Sequence, residues 1–376
     1  LKPKILGVVP GLEFQKRKGS AFIRIFQELE RKGRLASLVD VSLPKPLKWA
    51  LLARNFSWDF QVWNTRNQLD VFRYNLASRK ARKALENVDQ EFDVIIQVGS
   101  NIDISSFSEK EGKKCFSFHD NNAISYINQL PSDVVESKII HSALAFEDQV
   151  YRKNNGIFSM SRTLAESFVQ DFSVPKDKVH YVGFGTPFEA QDIESKNYNS
   201  KKILFVATHS FEKKGGETVL VAFRKLRQWI PGAELILAGR EWDIREEGVT
   251  VIGFLDKRVK EDFEVYKACF ESASVFVLPS QIEAFGEVFI EAMSYGLPCI
   301  GSTQGVMPEI ISGNKAGEVI QPNDSEGLAR LLFQWLSSPS ILKEKGRAGY
   351  LAVNTEYTWE NVSNRVLDVI DSSFEN

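Results

Sequence analysis

LPSQIEAFGEVFIEAMSYGLPCIGSTQGVMPEII, residues 278 to 311, reads as strand, loop, helix, strand, loop, helix. Pro279 and Ser280 end the first strand, and Gly286 permits close backbone approach. Glu287 then opens a helix whose Val288, Phe289, Ala292 and Met293 are placed to pack on a sheet. A loop between the carboxyl end of a parallel strand and a helix start gathers unpaired N–H groups and the positive end of the helix dipole. Such a place favours an anion, for example a diphosphate. Glu283 lies before this helix and Glu291 inside it, so two acceptors bracket the anion position, one for sugar hydroxyls and one for ribose hydroxyls. Acidic residues at a helix start also complement the dipole with no ligand present, which accounts for Glu287 and adequately for Glu283.

Outward from this block, apolar runs of strand length alternate with longer segments of helical spacing. Before it come KILGVV from Lys4, FDVIIQV from Phe92, KCFSF from Lys114 and KVHYV from Lys178. The second half adds KILFV from Lys201, AELILA from Ala233, VTVIGF from Val249, SVFVLP from Ser274 and PCIGS from Pro298. Val/Ile/Leu runs without polar alternation imply strands covered on both faces, the condition of a parallel sheet flanked by helices. The expected fold class is therefore α/β, with two doubly wound sheets. A chain of 376 residues, 43% hydrophobic and 26% charged, also exceeds one ordinary core. The polar stretch from Thr186 to Lys201 reads as the linker. The division then falls into an N-terminal domain over 1–190, a second domain over 200–356 and a terminal segment over 357–376. Helices are expected over Ser325–Leu336, Pro339–Val353 and Trp359–Phe374, the last packing back on the first domain.

Cys115, Cys269 and Cys299 are odd in number and far apart, which fits buried thiols better than a disulfide framework or a zinc site. No apolar run reaches the roughly 18 to 20 residues that cross a bilayer. The opening Leu1 to Pro10 reads as a strand and not as a signal peptide, so the expectation is a cytoplasmic protein, either free or peripheral at the inner membrane face. Net charge is −2 but uneven: +8 over residues 1–100, −4 over 101–200 and −6 over 201–376. A basic front suits an anionic acceptor or a membrane surface, and equally a solvated face with no partner. Within it, Leu43–Leu69 carries Trp49, Trp58 and Trp63 with no clear period. This stretch reads as an insertion in an acceptor cleft or at a membrane interface, or as a partly buried loop and helix.

Glu283-Ala284-Phe285-Gly286-Glu287-Val288-Phe289-Ile290-Glu291, continuing as Glu-Ala-Met-x-x-Gly-Leu-Pro and then Gly305-Val306-Met307-Pro308-Glu309, resembles the family 4 (group 1) retaining glycosyltransferases. These are of the two-Rossmann-domain (GT-B) type, with two glutamates separated by seven residues as signature. The likeness is strong from about Lys201 to Ile311 and loose before it. It implies two Rossmann-like domains facing across a cleft, the first binding an acceptor and the second a nucleotide diphosphate sugar. It also implies metal-independent transfer with retention of anomeric configuration and with no cofactor beyond the donor. By position Glu283 inherits contact with the donor sugar and Glu291 the ribose. Ala284, Phe285 and Gly286 supply the loop whose amides bind phosphate.

THSFEKKGGETVLVAF, from Thr208, is the second phosphate element, with Lys214 before Gly215 where the family places a lysine. The family's arginine earlier in this loop is here Thr208, which removes one fixed charge from the diphosphate clamp; Lys213 and Arg240 are the candidates to replace it. His119, after the strand KCFSF, matches a histidine that approaches the donor sugar. Gly19-Ser20, after Lys16-Arg17-Lys18, is expected to meet the donor diphosphate or the acceptor, or to be merely solvated. Ser161 is sufficiently explained as a helix cap. The implied catalytic set is Glu283, His119 and Lys214, with no metal ligand. The implied partners are a nucleotide-sugar donor and a glycan, lipid-linked or small-molecule acceptor, with no nucleic acid. The rival readings are a sugar-nucleotide epimerase on the same plan and a catalytically silent sugar-nucleotide-binding subunit. A nicotinamide dehydrogenase fits poorly, since no G-x-G-x-x-G follows the opening strand.

Overall fold

All nine apolar runs become strands, and three further strands join them in two six-stranded sheets that are parallel throughout. The computed structural model describes every residue except Leu1, Phe14, Gln15, Arg17, Lys18, Gly19, Gln129, Ser132, Asp133, Pro187, Glu189, Ala190, His209, Ala284 and Asn376. The chain divides into one unit of Leu1–Phe184 with Trp359–Asn376 and a second of Gly185–Thr358. Both are Rossmann-like α/β units.

The first sheet contains β1 (Ile5–Val9), β2 (Leu35–Asp40), β3 (Val94–Val98), β4 (Lys114–His119), β5 (Gly156–Ser159) and β6 (Val179–Tyr181), in the order β2-β1-β3-β4-β5-β6. The central strands β1 and β3 are buried along their whole length, as their uninterrupted apolar sequences require. Trp359–Glu375 belongs to this unit and lies against the helix Ala21–Arg31. Its Asp371 receives both guanidinium nitrogens of the buried Arg34. Residues 45–68 form two short helices, Lys45–Arg54 and Phe60–Gln68, where the sequence offered only an aperiodic tryptophan-rich stretch.

The second sheet contains β7 (Lys202–Val206), β8 (Glu234–Ala238), β9 (Val249–Ile252), β10 (Val275–Val277), β11 (Cys299–Ser302) and β12 (Gly317–Ile320), in the order β12-β11-β10-β7-β8-β9. Before β7, the polar stretch read as a linker is tied down within the second unit. Tyr198 is buried and donates to the Gly296 carbonyl at 2.8 Å, and the Lys196 ammonium donates to the Phe270 carbonyl at 2.8 Å. Burial draws the Lys196 amine down to about 8. All three cysteines are free and buried. Among the described residues no helix is long and apolar enough to cross a membrane.

The strand orders locate where a ligand meets each sheet. In open parallel sheets the crevice forms at the carboxyl ends of the two neighbouring strands from which the chain winds in opposite directions. In the second unit these are β7 and β10; in the first they are β1 and β3.

Candidate functional site

In the second unit, the loops leaving β7 and β10 are stitched together. Gly215, at the start of the helix Gly216–Trp229, has φ +80°, a left-handed conformation that glycine adopts without penalty. A Cβ there would lie 2.4 Å from the Pro279 carbonyl oxygen, so the β7 loop rests on the β10 loop at a point that only glycine fits. Next to it, the Gln281 N–H donates to the Lys213 carbonyl at 2.8 Å. Gly286 repeats the device at φ +69°, opening the helix Glu287–Ser294. Two helix starts, each with a glycine at its cap, thus flank the switch point.

Lys214 and Glu283 meet there: the ammonium stands 2.6 Å from Glu283 Oε2. Glu283 is held from several sides. Its Oε1 accepts the Gly286 N–H at 3.3 Å, and the Ser280 hydroxyl is 3.5 Å from Oε2. Its backbone carbonyl accepts the Val306 N–H at 3.2 Å, and a Cβ on Gly305 would strike that same oxygen at 2.0 Å. The glycine of the Gly305-Val306-Met307-Pro308-Glu309 stretch therefore exists to let a second loop close on Glu283. The lysine keeps a 28% exposed side chain and the glutamate a 13% exposed one. The pair is reachable by a ligand yet partly shielded, which strengthens its interaction with an arriving charge.

Glu291 projects from the next turn of the helix and is buried at 2% exposure. The Lys257 ammonium is 2.5 Å from its Oε1, and the Tyr266 hydroxyl donates to its Oε2 at 2.5 Å. Burial, and then the neighbouring Glu291 charge, push the Tyr266 phenol well above its ordinary range, so it remains a donor. Lys257 also sits 4.3 Å from the Tyr266 ring centroid. Sequence reasoning found the glutamate but missed both partners, because they lie on the loop after β9 and on the helix Lys260–Ser272, with no motif to mark them.

Phe285 is half-buried in the same loop, while Ala284 lies outside the described residues. Thr208 is exposed at the end of β7 and carries no charge to the clamp. Gly239, at φ +107°, approaches so closely that a Cβ would lie 2.5 Å from the Ala207 carbonyl, which sets the Arg240 backbone beside the start of the Thr208 loop. Lys213 and Arg240 are both exposed.

In the first unit, His119 ends β4 with only 1% exposure. Its ring meets Tyr151 and Phe168 edge-on, with centroids 5.5 and 5.1 Å away. Burial pulls its pKa down to about 3, so the imidazole is neutral at physiological pH, and its Nε2 has no hydrogen-bond partner among the described residues. It can serve as a neutral hydrogen-bonding group and not as a cation. Gly19 lies outside the described residues. Ser161 accepts the Leu164 N–H at 3.1 Å, the helix cap that its sequence position suggested. At the switch point of this unit a cavity of about 670 Å³ opens among the ends of β1, β2 and β3 and the helices that follow. Lys48 and Arg73 line it with Asn67, Asn101 and apolar Leu43 and Leu51, and among the described residues no carboxylate side chain does.

Residues 188–351 match the family model described as glycosyl transferases group 1. The matched stretch contains both stitched loops, Lys214, Glu283 and Glu291. Over this stretch the second unit is similar to the group 1 glycosyl transferases. An uncharacterized glycosyltransferase of Methanocaldococcus jannaschii is 29% identical over 64% of this chain and 65% of its own length. A glycogen synthase of Mycobacterium tuberculosis is 24% identical over 60% of this chain and 56% of its own. The chain thus spans between half and two thirds of these relatives. Among solved structures, a sucrose-phosphate synthase from Thermosynechococcus elongatus superimposes with TM-score 0.65 at 14% identity, covering 99% of both chains. That likeness establishes the GT-B kind of fold for a chain carrying a group 1 glycosyl transferase region.

Proposed function

We propose that the chain transfers a glycosyl group from a nucleotide diphosphate sugar to an acceptor, as a retaining enzyme of family 4 that needs no metal ion. The observation that carries this reading is the Lys214–Glu283 pair at 2.6 Å, set between two glycine-capped helix starts at the switch point of the second sheet. A departing diphosphate needs positive charge in place before the bond breaks, and preorganised groups supply it without reorganisation. Lys214 and the positive ends of the helices Glu287–Ser294 and Gly216–Trp229 are that charge. Glu283, fixed by its loop contacts, accepts hydroxyls of the donor sugar. Donor binding parts the ion pair, giving the ammonium to phosphate and the carboxylate to sugar. The ribose diol takes over the Glu291 oxygen held by Lys257, whose side chain is 45% exposed and has room to swing out. Tyr266 keeps the carboxylate oriented.

Retention follows if the acceptor attacks the face that the diphosphate leaves and gives its proton to that diphosphate, so no protein nucleophile is assigned. His119 contributes a neutral hydrogen-bonding group. The acceptor enters the first unit's cavity, where two cations and, among the described residues, no lining carboxylate favour an anionic or lipid-linked glycan. Thermal stabilisation by UDP, GDP and ADP compounds, followed by donor hydrolysis and transfer with and without EDTA, tests the reading. One nucleotide series is expected to raise the melting temperature by mass action, and EDTA to leave the rate unchanged. Stabilisation by none of them overturns it.

A further inference from the structure

The helices Lys45–Arg54 and Phe60–Gln68 expose more aromatic surface than a water-facing hairpin needs. Trp58 is 94% exposed, Phe60 71%, Trp49 70% and Phe56 53%. Phe56, Trp58, Phe60 and Trp63 form one cluster, with ring centroids of Phe56–Trp58 at 5.1 Å, Phe56–Trp63 at 6.4 Å and Phe60–Trp63 at 6.0 Å. Trp49 stands on the helix Lys45–Arg54 that leads into this cluster.

Of these rings only Trp63 helps to fold the hairpin. The Trp63 indole donates to the Leu52 carbonyl at 2.8 Å, Asn55 donates to Asn67 and to the buried Asp70, and Arg54 pairs with Asp70 at 2.9 Å. That polar network fixes the two helices from inside and leaves Trp58 and Phe60 pointing outward on a rigid frame. Two cations stand on the first of these helices: Lys45 and Lys48 are exposed and have no carboxylate partner among the described residues. Asp59 is occupied as a helix cap, accepting the Gln61 and Val62 N–H groups. Exposed indoles and phenyl rings beside lysines, on an element too short to span, match the chemistry of an anionic bilayer surface, where the rings sit at the headgroup level and lysines meet lipid phosphate.

We propose that residues 45–63 are a membrane seat, through which Trp49, Phe56, Trp58 and Phe60 enter the interface of an anionic bilayer. The inference extends the reading of a lipid-linked acceptor, because Lys48 and Leu51 of the same helix line the first unit's cavity. Binding is measured apart from transfer, so either can fail alone.

The full chain is sedimented with vesicles of phosphatidylcholine and of phosphatidylcholine mixed with phosphatidylglycerol, at low and high salt. Binding to the mixed vesicles is expected to exceed binding to the neutral ones by about tenfold at low salt and to weaken as salt rises. Trp58→Ala with Phe60→Ala is expected to lower it by about tenfold or more, while nucleotide stabilisation and the melting temperature stay unchanged. Brominated lipid is expected to quench wild-type fluorescence more than that of Trp58→Phe. Two results overturn the proposal: a wild type that ignores anionic vesicles at low salt, or a concentration-dependent dimer that the double variant abolishes in a chain that binds no vesicle. The second would make the cluster a contact between copies.

Discussion

In the second unit the loops leaving the switch-point strands touch backbone to backbone at Gly215 and Pro279, the loop after β11 closes on them with Gly305 against Glu283, and an ion pair fills the place where they meet. In the first unit the corresponding loops stand apart around a cavity of about 670 Å³, wide enough for a sugar-sized ligand. On the proposed function, one construction would serve a ligand whose diphosphate is the same in every donor, so that the backbone can be fixed to it once. The other would leave room for a variable acceptor, trimmed by side chains from the helices Lys45–Arg54 and Phe60–Gln68. The comparison predicts that damage to the second unit is severe and general, and that damage to the first changes preference more than rate.

The largest expected effect is at Lys214. Lys214→Ala is expected to lower kcat by about 10²-fold or more, since it removes a fixed charge from the leaving group. Thr208→Arg, made in the wild type and in this variant, measures whether a second cation in the loop compensates. Unchanged donor hydrolysis and transfer in Lys214→Ala would reduce the pair to a surface contact and remove the contrast between the units. Gly215→Ala follows, because the new methyl meets the Pro279 carbonyl and the left-handed backbone is strained at once. A loss of about 1–3 kcal/mol in denaturant unfolding is expected, with nucleotide stabilisation reduced.

A smaller effect belongs to Glu291. Glu291→Ala is expected to weaken binding of the bare nucleotide diphosphate by about tenfold in calorimetry, the scale of one lost charge-assisted hydrogen bond, whereas Glu283→Ala spares that affinity and loses turnover. Equal nucleotide affinity in Glu291→Ala and wild type would leave the carboxylate only its structural contacts with Lys257 and Tyr266. In the first unit, Lys48→Ala and Arg73→Ala are expected to raise the acceptor KM severalfold, at about 1 kcal/mol each, without touching donor affinity. A rise in donor KM from either would contradict the division of labour.

How far the sequence reached follows the same division. The strands of both sheets were legible wherever apolar runs were long and unbroken. Those overlooked were β2 and β12, which are edge strands, and β5, a four-residue strand that begins at a glycine. Lys214, Glu283 and Glu291 were legible because their positions are tied to glycines and helix starts, which leave marks in local sequence. Lys257 and Tyr266 reach Glu291 from 34 and 25 residues away, and such pairing is a property of the fold alone. The cavity in the first unit was hidden for a similar reason: its walls come from the ends of three strands, from the helix Val71–Leu85 and from two helices whose sequence has no period.

His119 gives the smallest effect and the sharpest test of how the first unit uses a polar residue. With its pKa near 3 in the folded chain, it stays neutral where an unfolded histidine, at about 6.5, takes up a proton. The unfolded state then binds more protons between these values, so the contribution of His119 to stability is full above pH 6.5 and is lost as pH falls toward 3. Between pH 7 and pH 5.5 this amounts to about 1 kcal/mol. Denaturant unfolding of wild type and His119→Gln at both pH values isolates it, since His180, half-buried and also drawn down by burial, titrates alike in the two proteins. Wild type is expected to lose about 1 kcal/mol more than the variant across this interval. Parallel curves would mean that the ring protonates normally in the folded chain. His119 would then be available as a cation, the one role that its burial against Tyr151 and Phe168 argues against.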